Sequence, residues 1–411
     1  MKTLRDYQVE CAGKAYSTLS EKMIVYLSME VRTGKTPTSM EVARLYGAKS
    51  VLFLTKKKAI TSIENDYIDF SYENSFSIDI INDESLHKVD ASKYDLVIHD
   101  EHHRFGAFPK PGKSTKLFKK MFSHLPMIFL SGTPTPESHS QIFHQLWVSD
   151  HSPFTESNFY KWAKKYVRVK QKHLGYAIVN DYSDAMVELI DTIVSRLFVT
   201  YTQQDAGFST TIKEHILHVP MSDSIQRIIK RLTNDRVIEG KDETILADTG
   251  VKLMQKVHQL CSGTVKFDSG NAKVLDYSKA KFIRDHFNGN KIGVFYKFKA
   301  ELDALKTVFG NSLTTDLDEF NKTDKNIALQ IVSGREGISL KMADKLVFYN
   351  IDFSAVSYFQ AIDRLTTIER LTNDVYWVFS DGGIEERIFQ TVQGKKDYTL
   401  RYFKKDYGIK I

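Results

Sequence analysis

The sequence has little cysteine and no long apolar run. Cys11 and Cys261 are the two cysteines among 411 residues, too few for a disulfide scaffold or a four-cysteine zinc site. No run of about 18 apolar residues occurs, and residues 1–6 lack the apolar core of a signal peptide. We therefore expect an intracellular protein that does not bind a membrane. The absence of internal repeats and low-complexity tracts also argues against a solenoid or a disordered chain.

The overall composition is typical of a globular protein with more than one domain. Apolar residues make up 42% and charged residues 26% of the chain, without the polar bias of disorder. A chain of 411 residues is too long for one ordinary core, so two or three domains are expected. The net charge of +6 is compatible with a polyanionic partner but does not identify one.

Two adjacent carboxylates, Asp100 and Glu101, end an apolar run that begins at Leu96. Such a run predicts a buried parallel strand, and ligands bind at the carboxyl ends of parallel strands. There Asp100 can hold Mg²⁺ while Glu101 orients or deprotonates an attacking water. Asp-Glu pairs also cap helices or lie on solvated faces, so this motif needs support from the rest of the chain.

That support comes from a phosphate-loop pattern near the N-terminus. An apolar strand at 23–28 precedes Gly34-Lys35-Thr36 and a helical pattern. Amides at the helix start would bind phosphate, Lys35 would neutralise the β- and γ-phosphates, and Thr36 would reach Mg²⁺. We include Arg32 and Thr33 in the predicted nucleotide site. Met29 stands where the usual pattern has its first glycine.

Other residues of the first 150 extend this prediction. The amide of Gln8 can both donate to and accept from an adenine edge. Strands are predicted at 50–55, 77–82 and 127–130, and the last leads into Ser131-Gly132-Thr133, which can sense the γ-phosphate. Three lysines that follow the strand at 50–55 can bind a nucleic-acid backbone: Lys56, Lys57 and Lys58.

Residues 153–204 interleave aromatic and basic side chains, including Tyr160, Trp162 and Lys164. This pattern suits stacking on single-stranded nucleic acid. It equally suits a helical insertion whose aromatic side chains pack inward and whose basic face touches a duplex backbone. We favour the packed insertion.

The second half repeats the strand and turn signals of the first. Apolar strands are predicted at 291–296, 326–331, 345–350 and 375–379. A turn with Ser333, Arg335 and Gly337 follows the second of them and would allow close approach of backbone to phosphate. We predict a nucleotide contact at Gly337 and DNA contacts at Ser333 and Arg335.

Taken in order, these motifs resemble those of a superfamily-two helicase or translocase. The series is Gln8, Gly34-Lys35-Thr36, Asp100-Glu101-His102-His103 and Ser131-Gly132-Thr133, and the segment at 159–197 narrows the resemblance to Swi/Snf-type proteins. The resemblance implies an α/β fold of two RecA-like parallel-sheet lobes, with ATP between them, a helical insertion and a C-terminal brace helix. It implies lobe 1 at 1–150, the insertion at 151–215, a linker at 216–272, lobe 2 at 273–395 and a tail at 396–411.

The same resemblance assigns roles to residues that their type alone would leave open. Arg364 matches the first arginine finger, which stabilises charge on the γ-phosphoryl group. The second finger would fall at Thr367, so Arg370 is the nearest basic substitute. His103, with Ser131 and Thr133, is expected to link nucleotide state to DNA movement.

The sequence thus predicts a DNA-dependent ATPase that uses ATP and Mg²⁺ to move along duplex DNA in replication, recombination or repair. A strand-separating or branch-migrating helicase is the alternative within this class. Met29 and Thr367 motivate an alternative of another class, a nucleotide-gated DNA-binding module with little turnover. From size and resemblance we expect a monomer in the cytoplasm of a bacterium or a phage-infected cell.

Overall fold

The computed structural model describes residues 2–173, 178–207, 211–331, 340–354, 358 and 372–394. The chain divides into two compact units, Met1–Phe208 and Ser209–Ile411. In the described part of the chain, no helix is both long enough and apolar enough to cross a bilayer.

The first unit is built on a six-stranded sheet in the order β3-β2-β4-β5-β1-β8. Every neighbouring pair in it is parallel. The central strands are continuous apolar runs because both of their faces are covered. The strands of this unit, including a short antiparallel hairpin of β6 and β7, are β1 Ile24–Met29, β2 Ser50–Thr55, β3 Ser77–Asn82, β4 Leu96–His99, β5 Met127–Leu130, β6 Lys170–His173, β7 Ile178–Asp181 and β8 Phe198–Tyr201.

Helices cover the two faces of this sheet with separate apolar cores. One core holds side chains from α1, α2 and α3, and the other holds side chains from α4, α5, α6 and α7. The helices are α1 Asp6–Lys22, α2 Lys35–Tyr46, α3 Ile60–Asp69, α4 Lys113–Phe122, α5 Ile142–Trp147, α6 Phe159–Tyr166 and α7 Val187–Val194.

The second unit has its own six-stranded parallel sheet, in the order β15-β16-β14-β17-β18-β9. Two small antiparallel ribbons, β10 with β11 and β12 with β13, lie outside it. The strands are β9 Thr211–Val219, β10 Val237–Glu239, β11 Thr244–Leu246, β12 Thr264–Lys266, β13 Ala272–Val274, β14 Ile292–Tyr296, β15 Leu313–Thr314, β16 Asn326–Gln330, β17 Lys345–Phe348 and β18 Thr372–Ser380.

Helices again pack on both faces of the second sheet, around two apolar cores. The last described helix, α13, occupies the position at which the resemblance implies a brace. The helices are α8 Asp223–Asp235, α9 Gly250–Cys261, α10 Ser278–His286, α11 Lys299–Phe309, α12 Leu317–Lys322 and α13 Glu385–Gln393. Two parallel sheets with helices on both faces confirm the predicted α/β class with two parallel-sheet lobes.

The compact units divide the chain differently from the predicted segments. Residues 198–201, inside the predicted insertion, form edge strand β8 beside β1. Residues 211–219, which span the end of the predicted insertion and the start of the predicted linker, form edge strand β9 and pair with β18 over nine residues. Both strands lie at sheet edges and mix polar with apolar residues, which hides them from a search for continuous apolar runs.

The aromatic side chains of the insertion pack inward. Phe159 and Trp162 are fully buried on one face of α6, within the core that also holds Phe143 and Phe154. Tyr160, on the opposite face, is 44% exposed. The packed arrangement is therefore the correct alternative for Phe159 and Trp162, which cannot stack on a nucleic-acid base.

A buried ion pair connects α13 to α10 in the second unit and leads to a prediction about stability. Lys279 Nζ lies 3.0 Å from Glu385 Oε1, and the two side chains are 4% and 0% exposed. Lys279→Met should lower the free energy of unfolding of this unit by about 3–5 kcal/mol, because it leaves a buried carboxylate without its counter-charge. Urea unfolding monitored by tryptophan fluorescence would measure the change.

The double variant Lys279→Met/Glu385→Leu serves as the control for this prediction. It should recover most of the lost stability, since an apolar pair of similar volume replaces a buried ion pair at little cost. A double variant as unstable as the single one would show that packing, and not the unpaired charge, causes the loss.

Candidate functional site

The phosphate-loop residues lie between β1 and α2, as the sequence predicts. Gly34 is the N-cap of α2 with φ of 85°, a left-handed conformation that suits glycine. Because Gly34 has no side chain to cap the helix, the first amides of α2, at Lys35 and Thr36, are left for an anion. Met29, which replaces the usual first glycine, is the buried last residue of β1 and does not need a left-handed backbone.

Lys35 is the first residue of α2 and follows the loop directly. Its Nζ donates to the carbonyl oxygens of Met29 at 2.8 Å and Glu30 at 3.0 Å. A Cβ on Gly132, in the segment after β5, would lie 3.6 Å from the same nitrogen. The chain after β5 therefore approaches the phosphate loop within van der Waals contact, as the prediction for Ser131-Gly132-Thr133 requires.

Side chains outside the motif hold the loop in place. Tyr7 Oη and Gln8 Nε2 both donate to the carbonyl oxygen of Thr33, at 3.0 and 3.1 Å. Gln203 Nε2 donates to the carbonyl oxygen of Val31 at 2.9 Å. The amide of Glu30 donates to the carbonyl oxygen of Tyr201 at 2.9 Å, so strand β8 supports the loop from the side.

The predicted adenine reader, Gln8, is also packed against the loop. Its side chain is 6% exposed, and its Oε1 accepts from the amide of Arg5 at 2.9 Å. A Cβ added to Gly34 would lie 1.9 Å from Gln8 Nε2, so a side chain at position 34 would displace the Gln8 amide from the loop. In the structure Gln8 supports the loop, and its role toward adenine stays a prediction.

Asp100 follows β4 and lies beside the end of β2. Its Oδ2 accepts from Thr55 Oγ1 at 2.9 Å, and its backbone amide donates to the carbonyl oxygen of Leu54 at 2.8 Å. Thr55 was not predicted from the sequence. It joins the site because β2 and β4 are neighbours in the sheet, although 45 residues separate the two side chains.

Glu101 has a left-handed backbone, with φ of 49° and ψ of 42°. Such a conformation is costly for a non-glycine residue and is common in functional sites.

The side chain of Glu101 contacts His103. Glu101 Oε2 lies 3.1 Å from His103 Nδ1, and the same nitrogen lies 3.0 Å from Ser131 Oγ. The amide of Thr133 donates to the same Ser131 oxygen at 3.1 Å. The predicted coupling residues therefore cluster around one atom, His103 Nδ1, which lies within hydrogen-bonding distance of both Glu101 and Ser131.

The two carboxylates have opposite pKa shifts. Burial raises the pKa of Asp100 to about 6, with a further increase from the charge of Glu101. Burial would also raise the pKa of Glu101, but the hydrogen bond and charge of His103, with the charge of Lys35, lower it to about 2. The opposite directions favour ionised Glu101 over ionised Asp100 when the pair carries one proton.

A buried histidine pair, His99 and His102, lies next to the two carboxylates, and His99 was given no role in the sequence analysis. His99 Nδ1 and His102 Nδ1 lie 2.6 Å apart, and His102 Nε2 donates to the carbonyl oxygen of Gln145 at 2.8 Å. His99 Nε2 lies 3.2 Å from Asp83 Oδ1. His102 also stacks on Phe129, with ring centroids 3.8 Å apart. The pair fixes the turn that presents Asp100 and Glu101.

The predicted DNA-binding lysines follow β2, at the same edge of the sheet as Asp100. Lys57 and Lys58 are exposed and Lys56 is half-buried. The charge of Lys56 lowers the pKa of Glu101 and of Asp83, so Lys56 lies near the acidic site. Five predicted site residues lie outside the described part of the chain: Ser333, Arg335, Gly337, Arg364 and Arg370.

Sequence comparison finds relatives whose names refer to chromatin regulation or remodeling. Over 329 residues the chain is 26% identical to a Caenorhabditis elegans protein, the SWI/SNF-related matrix-associated actin-dependent regulator of chromatin subfamily A-like protein 1 homolog. That alignment covers 74% of this chain and 45% of the relative. A stretch of 66 residues is 41% identical to the chromatin-remodeling ATPase INO80 of Cryptococcus neoformans, covering 16% of this chain and 4% of the relative. The chain thus spans less than half the length of these relatives.

No family model matches the chain. Among solved structures, the Sulfolobus solfataricus SWI2/SNF2 ATPase core in complex with dsDNA aligns with 99% of this chain and 94% of its own, at 14% identity and a TM-score of 0.43. The core domain of the same protein aligns with 96% and 89%, at 14% identity and a TM-score of 0.44. The two six-stranded parallel sheets establish the fold independently of these alignments.

Proposed function

We propose that the chain is a DNA-dependent ATPase that moves along duplex DNA. Two findings support the proposal: the site in the first unit, and the sequence similarity to SWI/SNF-related relatives, which confirms the predicted resemblance. The observation that carries the proposal is the assembly of Lys35, Asp100 and Glu101 at the carboxyl edge of one parallel sheet.

The side chains present fit ATP with Mg²⁺. Magnesium takes one or two carboxylates together with phosphate oxygens and water, and Asp100 and Thr36 provide such a donor set. Bound there, Mg²⁺ would neutralise charge on the β- and γ-phosphates. Lys35 and the first amides of α2 bind the same phosphates, so positive charge surrounds the group that is transferred.

Hydrogen bonding to His103 and the charge of Lys35 lower the pKa of Glu101 and favour its ionised form. An ionised carboxylate accepts hydrogen bonds from water. Glu101 therefore orients the attacking water, or accepts its proton, for in-line attack on the γ-phosphorus as ADP leaves. His103 holds the carboxylate in this orientation through the 3.1 Å contact.

The proposal is tested by measuring ATP turnover of the purified chain with and without duplex DNA. We expect turnover that DNA stimulates and that depends on Lys35. A nucleotide-gated DNA-binding module would bind ATP and DNA with little turnover under both conditions. No stimulation by DNA, or turnover unaffected by Lys35→Ala, would disprove the motor.

The finer activity requires a second pair of assays. Displacement of a triplex-forming strand reports movement along duplex DNA, and separation of a forked duplex reports helicase action. We propose translocation without obligatory strand separation, so triplex displacement should occur under conditions in which the fork stays closed. Unwinding of the fork would favour the helicase alternative.

Three further expectations from the sequence stay predictions: a role in replication, recombination or repair, a monomeric state, and a location in the cytoplasm of a bacterium or a phage-infected cell.

The chain from Glu101 through His103 to Ser131 predicts that movement can be uncoupled from hydrolysis. His103→Ala should reduce triplex displacement about tenfold more than ATP turnover, since it removes the contact between the catalytic carboxylate and the segment after β5. The two rates are measured on one preparation. His87→Ala, which removes an exposed histidine of the same unit, is the control. Equal loss of both rates would contradict the coupling role.

A further inference from the structure

The longest stretch without carboxylates in the first unit begins directly after the catalytic acids. Residues 102–136 contain five lysines and one arginine but neither aspartate nor glutamate. Four of these lysines are exposed: Lys110, Lys113, Lys116 and Lys120. In α4, the last three follow the spacing i, i+3 and i+7 on the face opposite Thr115, Phe118 and Phe122, which are buried.

A second group of lysines lies on α6. Phe159, Trp162 and Ala163 are buried on one face of this helix, whereas Lys161 and Lys164 are exposed on the other. Lys165 is also exposed, but it pairs with Glu156 at 2.6 Å.

Packing brings the two groups onto neighbouring elements. The rings of Phe108 and Phe159 stack with centroids 5.8 Å apart. His144 Nδ1 donates to the carbonyl oxygen of Ala107 at 2.6 Å, and the His144 ring stacks on Phe159. Lys110 is two residues from Phe108 and Lys161 is two residues from Phe159, so the loop before α4 lies beside the start of α6. About 50 residues of sequence separate lysines that the fold places on one side of the unit.

Carboxylates near this surface are already paired with other side chains. Asp150 accepts from Ser123 Oγ at 2.7 Å and lies 3.6 Å from Lys119. Asp184 lies 2.6 Å from Lys170. Within the described ranges, none of the six lysines of the surface has an ion-pair partner: Lys110, Lys113, Lys116, Lys120, Lys161 and Lys164.

We propose that these six residues, the lysine surface, bind the phosphate backbone of duplex DNA at a site separate from Lys56–Lys58. The proposal rests on the proposed function. The surface belongs to the helices on the α4 face of the sheet, whereas Lys56–Lys58 lead into α3 on the opposite face. Protein interfaces are depleted in lysine, whereas lysine contacts to phosphate supply sequence-independent affinity for DNA. Lys113 and Lys120 span about 10 Å of helix, enough to follow a backbone across several charges.

The test measures how duplex binding depends on salt. Wild type, Lys113→Gln/Lys116→Gln/Lys161→Gln and a control variant are titrated with a blunt-ended duplex between about 50 and 200 mM salt. The control, Lys22→Gln/Lys49→Gln/Lys93→Gln, removes the same charge from exposed positions just before strands β1, β2 and β4. Melting temperatures establish that the three proteins are folded.

For the lysine-surface variant, we expect the slope of log affinity against log salt to flatten by about 2–3, or about 0.9 for each lost phosphate contact. Affinity at low salt should fall by about tenfold or more, while ATP turnover without DNA is unchanged. The control variant should keep the wild-type slope. If wild type and both variants share one steep slope, the inference is wrong, and an acidic protein becomes the partner to seek. If wild type does not bind duplex DNA, the proposed function itself fails.

Discussion

Glu101→Gln is expected to lower DNA-stimulated ATP turnover by about 10²–10⁴-fold while ATP binding persists. Glutamine keeps the shape of the side chain, but its amide cannot present two acceptor oxygens to the attacking water and to His103. The contacts of Lys35 and of Asp100 with Thr55 do not involve Glu101, so the phosphate and metal positions should survive. Turnover is measured by phosphate release and binding by fluorescent-nucleotide titration.

Glu10→Gln is the matched control for this experiment. Glu10 is an exposed residue of α1 that pairs with Lys14 and lies outside the site, so turnover should be unchanged. Loss of ATP binding in Glu101→Gln would contradict the assigned role, because a residue that orients water contributes little to the affinity for the nucleotide itself.

Lys35→Ala is expected to weaken ATP binding by about 10–100-fold and to lower turnover as well. The loss of binding corresponds to one charge-assisted hydrogen bond to phosphate. Turnover should fall by about a further 10²–10³-fold, since Lys35 stabilises charge that develops as the γ-phosphoryl group is transferred. Nucleotide titration and phosphate release at saturating ATP separate the two effects.

The control for Lys35→Ala is Lys14→Ala, which removes an exposed lysine from α1. Because Lys35 also donates to the carbonyl oxygens of Met29 and Glu30, the melting temperature must be compared with that of wild type. A folded Lys35→Ala protein with normal turnover would show that the loop between β1 and α2 does not bind the triphosphate.

The central strands could be predicted from sequence because both faces of each strand are buried. The predictions at 50–55 and 127–130 coincide with the central strands β2 and β5. Edge strand β3 was also predicted correctly, at 77–82, because three of its six residues are isoleucine. Edge strands β8 and β9 were not predicted from the sequence, because one side of each is solvated and their composition is mixed. Thr211–Val219, for example, contains a lysine, a glutamate and two histidines. Their strand pairing depends on contacts between distant segments, which no local pattern encodes.

The residues of the candidate site that belong to short sequence motifs could be predicted. Lys35, Asp100 and Glu101 could be identified because strand, loop and helix signals surround them. Thr55 and Tyr7 could not, since their roles depend on which strands are neighbours and on where α1 lies against the loop. His103 illustrates the intermediate case: its link to Ser131 was predicted from the family pattern, but its contact with Glu101 appears only in three dimensions.

The support that β8 gives to the phosphate loop has a mechanical consequence. Tyr201 and Gln203 hold Glu30 and Val31, and the first unit ends at Phe208, five residues after Gln203. Displacement of residues 201–203 would therefore act on Glu30 and Val31 directly, so it would change the phosphate loop without first distorting the other strands of the sheet.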